Sequence, residues 1–405
     1  MTVRPVTYLH DRPGWTDFFW DATAISKHLE QVNFQRGVLS GQLQLLGLAI
    51  RQQTLLDALT DDAARSSRIE GELLDETEVK SSVARCLGLP YSGLPELNQG
   101  DVDHADDTLD ATTHATDPLT EDRLFRWHKA LFPNGQSGVH RILTGQYRTD
   151  AEGPMQVIVA RLDQRTVHFE APAVARVPGL MTDFLTWVEA SQPLDPVIKA
   201  GLAHLRFLTI HPFEDGNGRI GHALTDLLLA RADRRSERHY SLSRQIQQHQ
   251  RSYYEILERT QRQAVPDLTP WLTWFLRRVL DATLRTQETL STVRAKRLYF
   301  EQHSHAALNA RQSKVLNRLF EDFEGKLTRK KYGALIGHQP VPGSLQRRAV
   351  SEDTVLRDLD DLVSQGLLVR QGAGRGVHYL VPLPEGTEGF SPELFTASSG
   401  PAPTR

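Results

Sequence analysis

His211-Pro212-Phe213-Glu214-Asp215-Gly216-Asn217-Gly218-Arg219, continuing as Ile220-Gly221-His222, is the stretch around which the chain is organised. It supplies an imidazole that can accept a proton, a carboxylate that can hold a cation, a Gly-Asn-Gly run and a guanidinium suited to phosphate. Leu202, Leu205, Phe207, Leu208 and Ile210 make an apolar approach to it, and Ile220, Leu224, Leu227 and Leu228 recur at helical spacing beyond it. The stretch therefore reads as helix, tight loop, helix, with Gly216-Asn217-Gly218 opening the second helix. Glycines there let a ligand approach the backbone closely, and the free N–H groups of a helix start attract anions.

Positions 211 to 219 resemble the Fic family signature, H-P-F-x-[D/E]-G-N-G-R-x-x-R, and the final arginine is replaced by His222. The resemblance implies a mainly α-helical Fic-type core with a small β-hairpin flap. It also implies an enzyme, a nucleotidyltransferase that moves AMP from Mg-ATP to a Ser, Thr or Tyr hydroxyl of a protein target, itself included. His211 would be the base and Asp215 the Mg2+ ligand. Gly216, Asn217 and Gly218 would direct N–H groups and an amide at the phosphates, and Arg219 would neutralise the leaving pyrophosphate. Phe213 is expected in the core, and Glu214 is expected to face solvent or the target. In the family the last arginine grips the γ-phosphate and anchors an inhibitory glutamate. Histidine at 222, a nucleotide-binding position by resemblance, lacks the planar fork and the fixed charge, so both interactions should weaken. Slow transfer, a leaky brake, and a donor that does not rely on a γ-phosphate are the three outcomes.

Ser66-Ser67-Arg68-Ile69-Glu70-Gly71 resembles the family's inhibitory motif, [S/T]-x-x-x-E-[G/N]. One helical turn separates Ser66 from Glu70, so both lie on one face. The resemblance implies that Ser66, Glu70 and Gly71 are regulatory, with Glu70 reaching the nucleotide site; a solvated glutamate at a helix end is the plainer alternative. Val157, Ile158 and Val159, with a return near Val167 to Phe169, predict a hairpin that resembles the target-docking flap of the family, or else a purely structural one. Tyr253, Tyr254 and Gln261 fall on a later helix. In the family comparable groups surround the nucleotide base, and for the tyrosines core packing is the rival reading.

The 405 residues suit two or three domains. A charged fraction of 24% with 39% hydrophobic residues fits an ordinary soluble protein, and the net charge of −3 gives no overall sign of nucleic-acid binding. Cys86 is the single cysteine, which rules out an intramolecular disulfide and fits a reducing compartment. No run of about twenty apolar residues appears and the N-terminus lacks the apolar core of a secretory signal, so a cytoplasmic protein without a membrane partner is expected.

Residues 1–87 read as an N-terminal helical domain. It holds the inhibitory helix, an aromatic cluster of Trp15, Phe18, Phe19 and Trp20, and one long helix through Leu43, Leu46, Ile50 and Leu55. Residues 88–118 read as an acidic loop with Asp101, Asp103, Asp106, Asp107 and Asp110; His104 and His114 there do not suggest a metal site, because nothing fixes ligand geometry. Residues 119–290 read as the catalytic domain, 300–383 resemble a winged helix-turn-helix, and 384–405 read as a disordered tail. Segment 294 to 348 carries twelve Lys or Arg against four acids. That excess would suit a phosphate backbone, whereas Glu352, Asp353, Asp358, Asp360 and Asp361 on the presumed reading helix oppose it. DNA binding, docking of a protein partner and oligomerisation stay open for this module. For the whole chain two other functions stay open. One is a site that removes AMP or transfers another phosphate-linked group; the other is a nucleotide-binding regulator without turnover.

Overall fold

The helices Pro196–Ile210 and Asn217–Asp233, on either side of the signature loop, are buried on nearly every side. Asp195 starts the first by accepting from the N–H of Val197, and Pro196 follows at the position where a missing N–H costs nothing. Helices apolar all round belong inside a fold, and these two pack against each other at the centre of theirs.

In chain order, the computed structural model has helices α1 (Ala22–Gln44), α2 (Leu48–Ile69), α3 (Glu76–Cys86), α4 (Asp106–Thr113) and α5 (Glu121–Leu131). Two antiparallel hairpins follow, β1 (Gln136–Ser137) with β2 (His140–Arg141), and β3 (Gln156–Arg161) with β4 (Gln164–Glu170). Then come α6 (Val177–Glu189), α7 (Pro196–Ile210), α8 (Asn217–Asp233), α9 (Leu242–Gln248), α10 (Gln250–Gln261) and α11 (Thr269–Gln302). The last stretch holds α12 (Ala310–Leu319), α13 (Arg329–Ile336), the hairpin β5 (His338–Pro340) and β6 (Arg347–Ala349), α14 (Glu352–Ser364), and the hairpin β7 (Val369–Gln371) and β8 (His378–Leu380). The structure describes residues 7–89, 106–150, 153–161, 164–233, 238–263, 267–320, 323, 325–340 and 347–382. The fold is mainly α-helical, with β-structure limited to short hairpins.

The chain divides into two compact units, Met1–Thr286 and Gln287–Arg405. The separate N-terminal and catalytic domains expected from sequence are thus parts of one unit. The reason is contact: α2 packs against α9 and α8, and α4 packs against α8. The single long helix expected through Leu43 to Leu55 is two helices. Leu45 caps the end of the first, and Gly47, extended at φ −63 and ψ 156, starts the second, with Leu45 and Leu48 in solvent. Of the expected acidic loop, 90–105 (with His104) lie outside the described residues, while Asp106–Thr113 are helical. Ala111, Thr112 and Ala115 are buried there, and Asp110 accepts from Arg123 and Trp127, both at 2.7 Å. Of the aromatic cluster, Trp15 is buried whereas Phe19 is exposed. No group of three or more His, Cys, Asp or Glu with metal-site geometry occurs among the described residues.

The hairpin β3–β4 runs from Gln156 opposite Glu170 to Arg161 opposite Gln164, with an irregularity between Val157 and Ile158. Val157 packs with Met155 against Tyr8, Phe169 and Ala171, while the side chains of Ile158 and Val159 lie outside the described residues. His168 reaches Glu258 of α10 at 2.6 Å, tying the hairpin to that helix.

In the second unit Tyr299, Val315, Leu316, Tyr332, Leu359 and Tyr379 share one core. Asp358 on α14 is nearly buried there, paired with Arg311 through two hydrogen bonds of 2.8 Å and bonded to Asn309 at 3.0 Å. Asp361 accepts from Gln312 at 2.7 Å. The hairpin β5–β6 between α13 and α14 was not legible in the sequence, and the residues after 382 lie outside the described ones. No described helix is long and apolar enough to cross a membrane.

Candidate active site

The signature loop is held by buried donors rather than by its own side-chain bulk. His211 ends α7 with φ 51, the one non-glycine residue at positive φ among those described. That conformation is costly for a side-chain-bearing residue and persists only where its surroundings enforce it. Arg148 does the enforcing. Its Nε donates to the His211 carbonyl at 2.8 Å, its terminal nitrogens reach Pro172 O and Asp150, and its backbone N–H donates to Pro212 O at 2.9 Å.

Asn217 closes the loop from the other side. Its Oδ1 accepts from Phe213 N–H at 2.9 Å and its Nδ2 donates to Phe213 O at 2.8 Å. Phe213 is buried and stacks on His128, with ring centroids 4.2 Å apart and planes at 13°. One ring nitrogen of His128 accepts from Gly145 N–H at 3.0 Å, so the other carries the hydrogen and donates to Asp215 O at 3.1 Å. Burial pushes the His128 pKa down to about 4, so the neutral ring that this pattern requires is the form present at pH 7.

His211 is half-buried as a residue. Desolvation by the surrounding protein, and then the nearby Arg148 charge, lower its pKa to about 4, and the Leu208 carbonyl and Asp215 oppose that shift. A neutral imidazole needs no prior deprotonation to accept a proton. Asp215 is exposed. One of its oxygens accepts from Gly216 N–H at 2.6 Å and the other from Ser137 Oγ. Its remaining lone pairs can still face a cation. With Glu214 bonded to Leu143 N–H, it is the loop carboxylate left to fit an ion whose other oxygen ligands arrive with a nucleotide.

The start of α8 is covered by a carboxyl group of the chain itself. α2 ends in a glycine turn in which Gly71 N–H donates to Arg68 O at 3.1 Å and Glu72 N–H to Ser67 O at 2.9 Å, with Gly71 at φ 90. This turn delivers the Glu70 carboxylate onto Gly218, where an added Cβ would collide with it. Glu70 is exposed as a residue, yet desolvation of its carboxylate raises its pKa to about 7; Arg219 opposes the rise, and Asp215 and Glu72 add to it. Glu72 accepts from Arg219 Nη1 at 2.6 Å. Arg219 is only 3% exposed, lies 4.7 Å from the Phe132 ring centroid, and has an Nε without a hydrogen-bond partner.

Behind this end, Gln250 and Tyr254 of α10 both donate to the Ile69 carbonyl, at 2.9 and 3.0 Å. The body of α2 is fixed by Asp62, which pairs with the buried Arg238 and accepts from Ser241 at 2.6 Å, while Asp226 holds Arg238 at 2.6 Å. The whole arrangement is a neutral base and a carboxylate beside a helix start that takes anions, which suits chemistry at a phosphate.

Residues 118–229 match the Fic/DOC family model, and residues 8–89 match DUF4172, a domain of unknown function. The chain carries a Fic/DOC domain.

The chain is 36% identical over 109 residues to the protein adenylyltransferase Fic of Culex quinquefasciatus, covering 26% of this chain and 19% of that protein. It is 25% identical over 185 residues to the protein of the same name from Nematostella vectensis, covering 45% and 40%. The match thus spans from about a fifth to two-fifths of these relatives' lengths. Among solved structures, a Fic family protein of Desulfovibrio desulfuricans G20 is similar at 21% identity and TM-score 0.49, over 90% of this chain and 97% of that one. Fic-1 of C. elegans is similar at 17% and 0.47, over 66% and 74%.

The predicted site residues separate into two groups. His211, Asp215, Gly216, Gly218, Arg219 and Glu70 come together at the start of α8. His222 does not join them. It is 2% exposed in an aromatic cluster with His204 at 5.3 Å and Tyr253 at 6.1 Å between ring centroids, and burial and the His204 charge lower its pKa well below the usual range. Tyr253 is buried with its hydroxyl 2.8 Å from a His204 nitrogen, and Gln261 is buried and donates to Thr209 at 3.3 Å. Both are engaged in packing. Tyr254 lies near Glu70 but its hydroxyl is committed to Ile69. The Asn217 amide, expected at the phosphates, is committed to Phe213, so only its backbone N–H remains for a ligand. Glu214, expected toward solvent or the target, accepts from Leu143 N–H at 2.9 Å and ties down the segment after β2. Ser66 is buried and its Oγ meets no hydrogen-bond partner.

Arg148, His128, Ser137 and Glu72 were missed as site residues. Glu72 had a usable signal: it is an acid one residue beyond a glycine that reverses the chain.

Proposed function

We propose that the chain transfers AMP from Mg-ATP to a Ser, Thr or Tyr hydroxyl of a protein, itself included, and that Glu70 restrains this activity. One observation carries the reading: a carboxylate of the chain itself sits on the α8 start, beside Arg219, at the loop that presents neutral His211 and Asp215. A helix start with a guanidinium beside it is suited to a phosphate in that place. The relatives named protein adenylyltransferase support the reaction class.

In the step, a target hydroxyl oxygen attacks the α-phosphorus while a His211 ring nitrogen takes its proton. A new P–O bond forms, the bond from the α-phosphorus to the bridging oxygen breaks, and pyrophosphate leaves with that electron pair. Gly218 and its neighbours offer N–H groups to the phosphates, and Arg219 neutralises the leaving group. Asp215 would hold Mg2+, which when bound supplies charge neutralisation on the phosphates. The strand edge at Val157, Ile158 and Val159 would dock an extended target segment through backbone pairing.

The Glu70 pKa of about 7 favours a second reading, removal of AMP with Glu70 as the base that activates water. For the second unit we infer docking of DNA or a protein partner. Asp358 and Asp361 are engaged internally, so fewer acids on α14 oppose the local cationic excess.

Mass spectrometry of the Glu70→Gly chain after incubation with Mg-ATP tests the main reading. One AMP on a hydroxyl residue, absent with His211→Ala, is expected. No adduct in any form, on the chain or on proteins of a lysate, would refute it. Loss of AMP from a previously modified protein would instead support the second reading.

A further inference from the structure

Resting on that nucleotide site, we propose that the brake is a two-carboxylate stopper. Glu70 covers the start of α8 while Glu72 neutralises Arg219, so that the pair occupies the place of two adjacent phosphates.

Three independent features of the chain lead there. The first is the pairing itself. Arg219 is the guanidinium of the signature, and its Nη1 lies 2.6 Å from Glu72 Oε2, not from Glu70. A buried guanidinium whose charge is already neutralised by one carboxylate attracts a phosphate less strongly than a free one. Its Nε meets no acceptor, which leaves a donor that a phosphate with several oxygens would satisfy and a single carboxylate oxygen does not.

The second is the turn. Residues two apart on a continuing helix project to different sides. Gly71 at φ 90 reverses the chain between Glu70 and Glu72, and the bond from Glu72 N–H to Ser67 O fixes that reversal. Both carboxylates therefore reach one site. Nothing lies within 4 Å of where a Gly71 Cβ would stand, so the requirement for glycine is conformational rather than spatial.

The third is the departure at 222. His222 lies in the aromatic cluster with His204 and Tyr253, so it offers Glu70 no cation. Anchorage falls instead to Arg219 through Glu72, and to Gln250 and Tyr254 through the Ile69 carbonyl. The ligand class that displaces such a stopper is one bearing a pyrophosphate unit, because both carboxylates must be exchanged together.

The test is calorimetric titration of the full chain with Mg-ATP and, separately, with inorganic pyrophosphate, using wild type, Glu70→Gly, Glu72→Gln and the double variant, with melting curves to confirm folding. Glu72→Gln alone should bind both ligands at least about tenfold more tightly than wild type, the equivalent of one charge-assisted hydrogen bond. The double variant should bind them more tightly than either single one. Unchanged or weaker binding by Glu72→Gln, with Glu70→Gly still tighter than wild type, would overturn the stopper and leave the nucleotide site standing. Failure of every form to bind either ligand would remove the nucleotide site and the stopper with it. Should Glu72→Gln not fold, Gly71→Ala keeps both carboxylates and strains the turn. It too should bind more tightly, and wild-type affinity there would overturn the proposal.

Discussion

Two segments meet at the start of α8, and they are held in opposite ways. The signature loop, His211 to Arg219, is fixed by Arg148, Asn217 and His128, all buried, acting largely on its backbone. The segment Glu70 to Glu72 is held by carboxylates at the edge of solvent, by one carbonyl and by a glycine turn. Backbone held by buried donors cannot move without leaving polar groups unpaired, whereas a solvent-edged carboxylate can be exchanged for another anion. The loop is thus built to keep its geometry and the stopper to be displaced.

The sharpest way to break this contrast is at the body of α2, which should behave like the loop and not like the stopper. Asp62→Ala leaves Arg238 buried with Asp226 as its remaining carboxylate, and should lower stability by about 3 kcal/mol in denaturant titration. A loss below about 1 kcal/mol would mean that α2 is loosely attached throughout.

Next comes Arg148→Ala, which strips acceptors at His211 and Pro172 of their donor. It should cost about 2–3 kcal/mol and, in a Glu70→Gly background, reduce transfer on the order of a hundredfold through misplacement of His211. Normal turnover in that variant would show that the loop holds itself.

His222→Arg sharpens the contrast from the other side. An arginine forced into the aromatic cluster should lower stability by about 1–3 kcal/mol and leave ATP affinity unchanged. A gain in affinity would show that position 222 reaches the phosphates after all.

The smallest effect expected is on pH. Glu70 in the closed site has its pKa raised from 4.5 to about 7, chiefly by burial, with Asp215 and Glu72 adding and Arg219 opposing. A raised folded pKa means that closure is fully favoured below about 4.5 and is lost as pH rises through about 7. Nucleotide affinity of wild type should therefore rise between pH 5.5 and 8, by no more than about tenfold given the exposure of Glu70. The same titration of Glu70→Gln should lack this component, which separates it from ionisation of ATP itself. His211, near 4, does not titrate in that window.

Much of this was legible in the sequence. Residues 211–219 carry their own helix boundaries, because the apolar spacing on both sides leaves one place for the loop, and its chemistry follows from the residue types. Glu70 was legible through its motif, and Gly71 gains a physical reason as the glycine that ends α2. What was not legible depends on contacts far apart in the chain. Arg148 is sixty-three residues from the carbonyl it holds, and an arginine gives no local sign of such a role. The break at Gly47 was hidden because apolar residues continue in helical phase across it. Nor did the sequence show that Tyr253 bonds to His204, that Gln261 bonds to Thr209, and that the His222 ring packs beside His204.

The central claim, that His211 serves transfer of the innermost phosphate once the stopper is removed, is tested most directly with labelled ATP. The Glu70→Gly chain is incubated with ATP labelled at the α-phosphate or at the γ-phosphate, with and without His211→Ala. Label entering protein from the α position only, and lost with His211→Ala, is the predicted result. Label entering from the γ position, or equal α-labelling without His211, would contradict it.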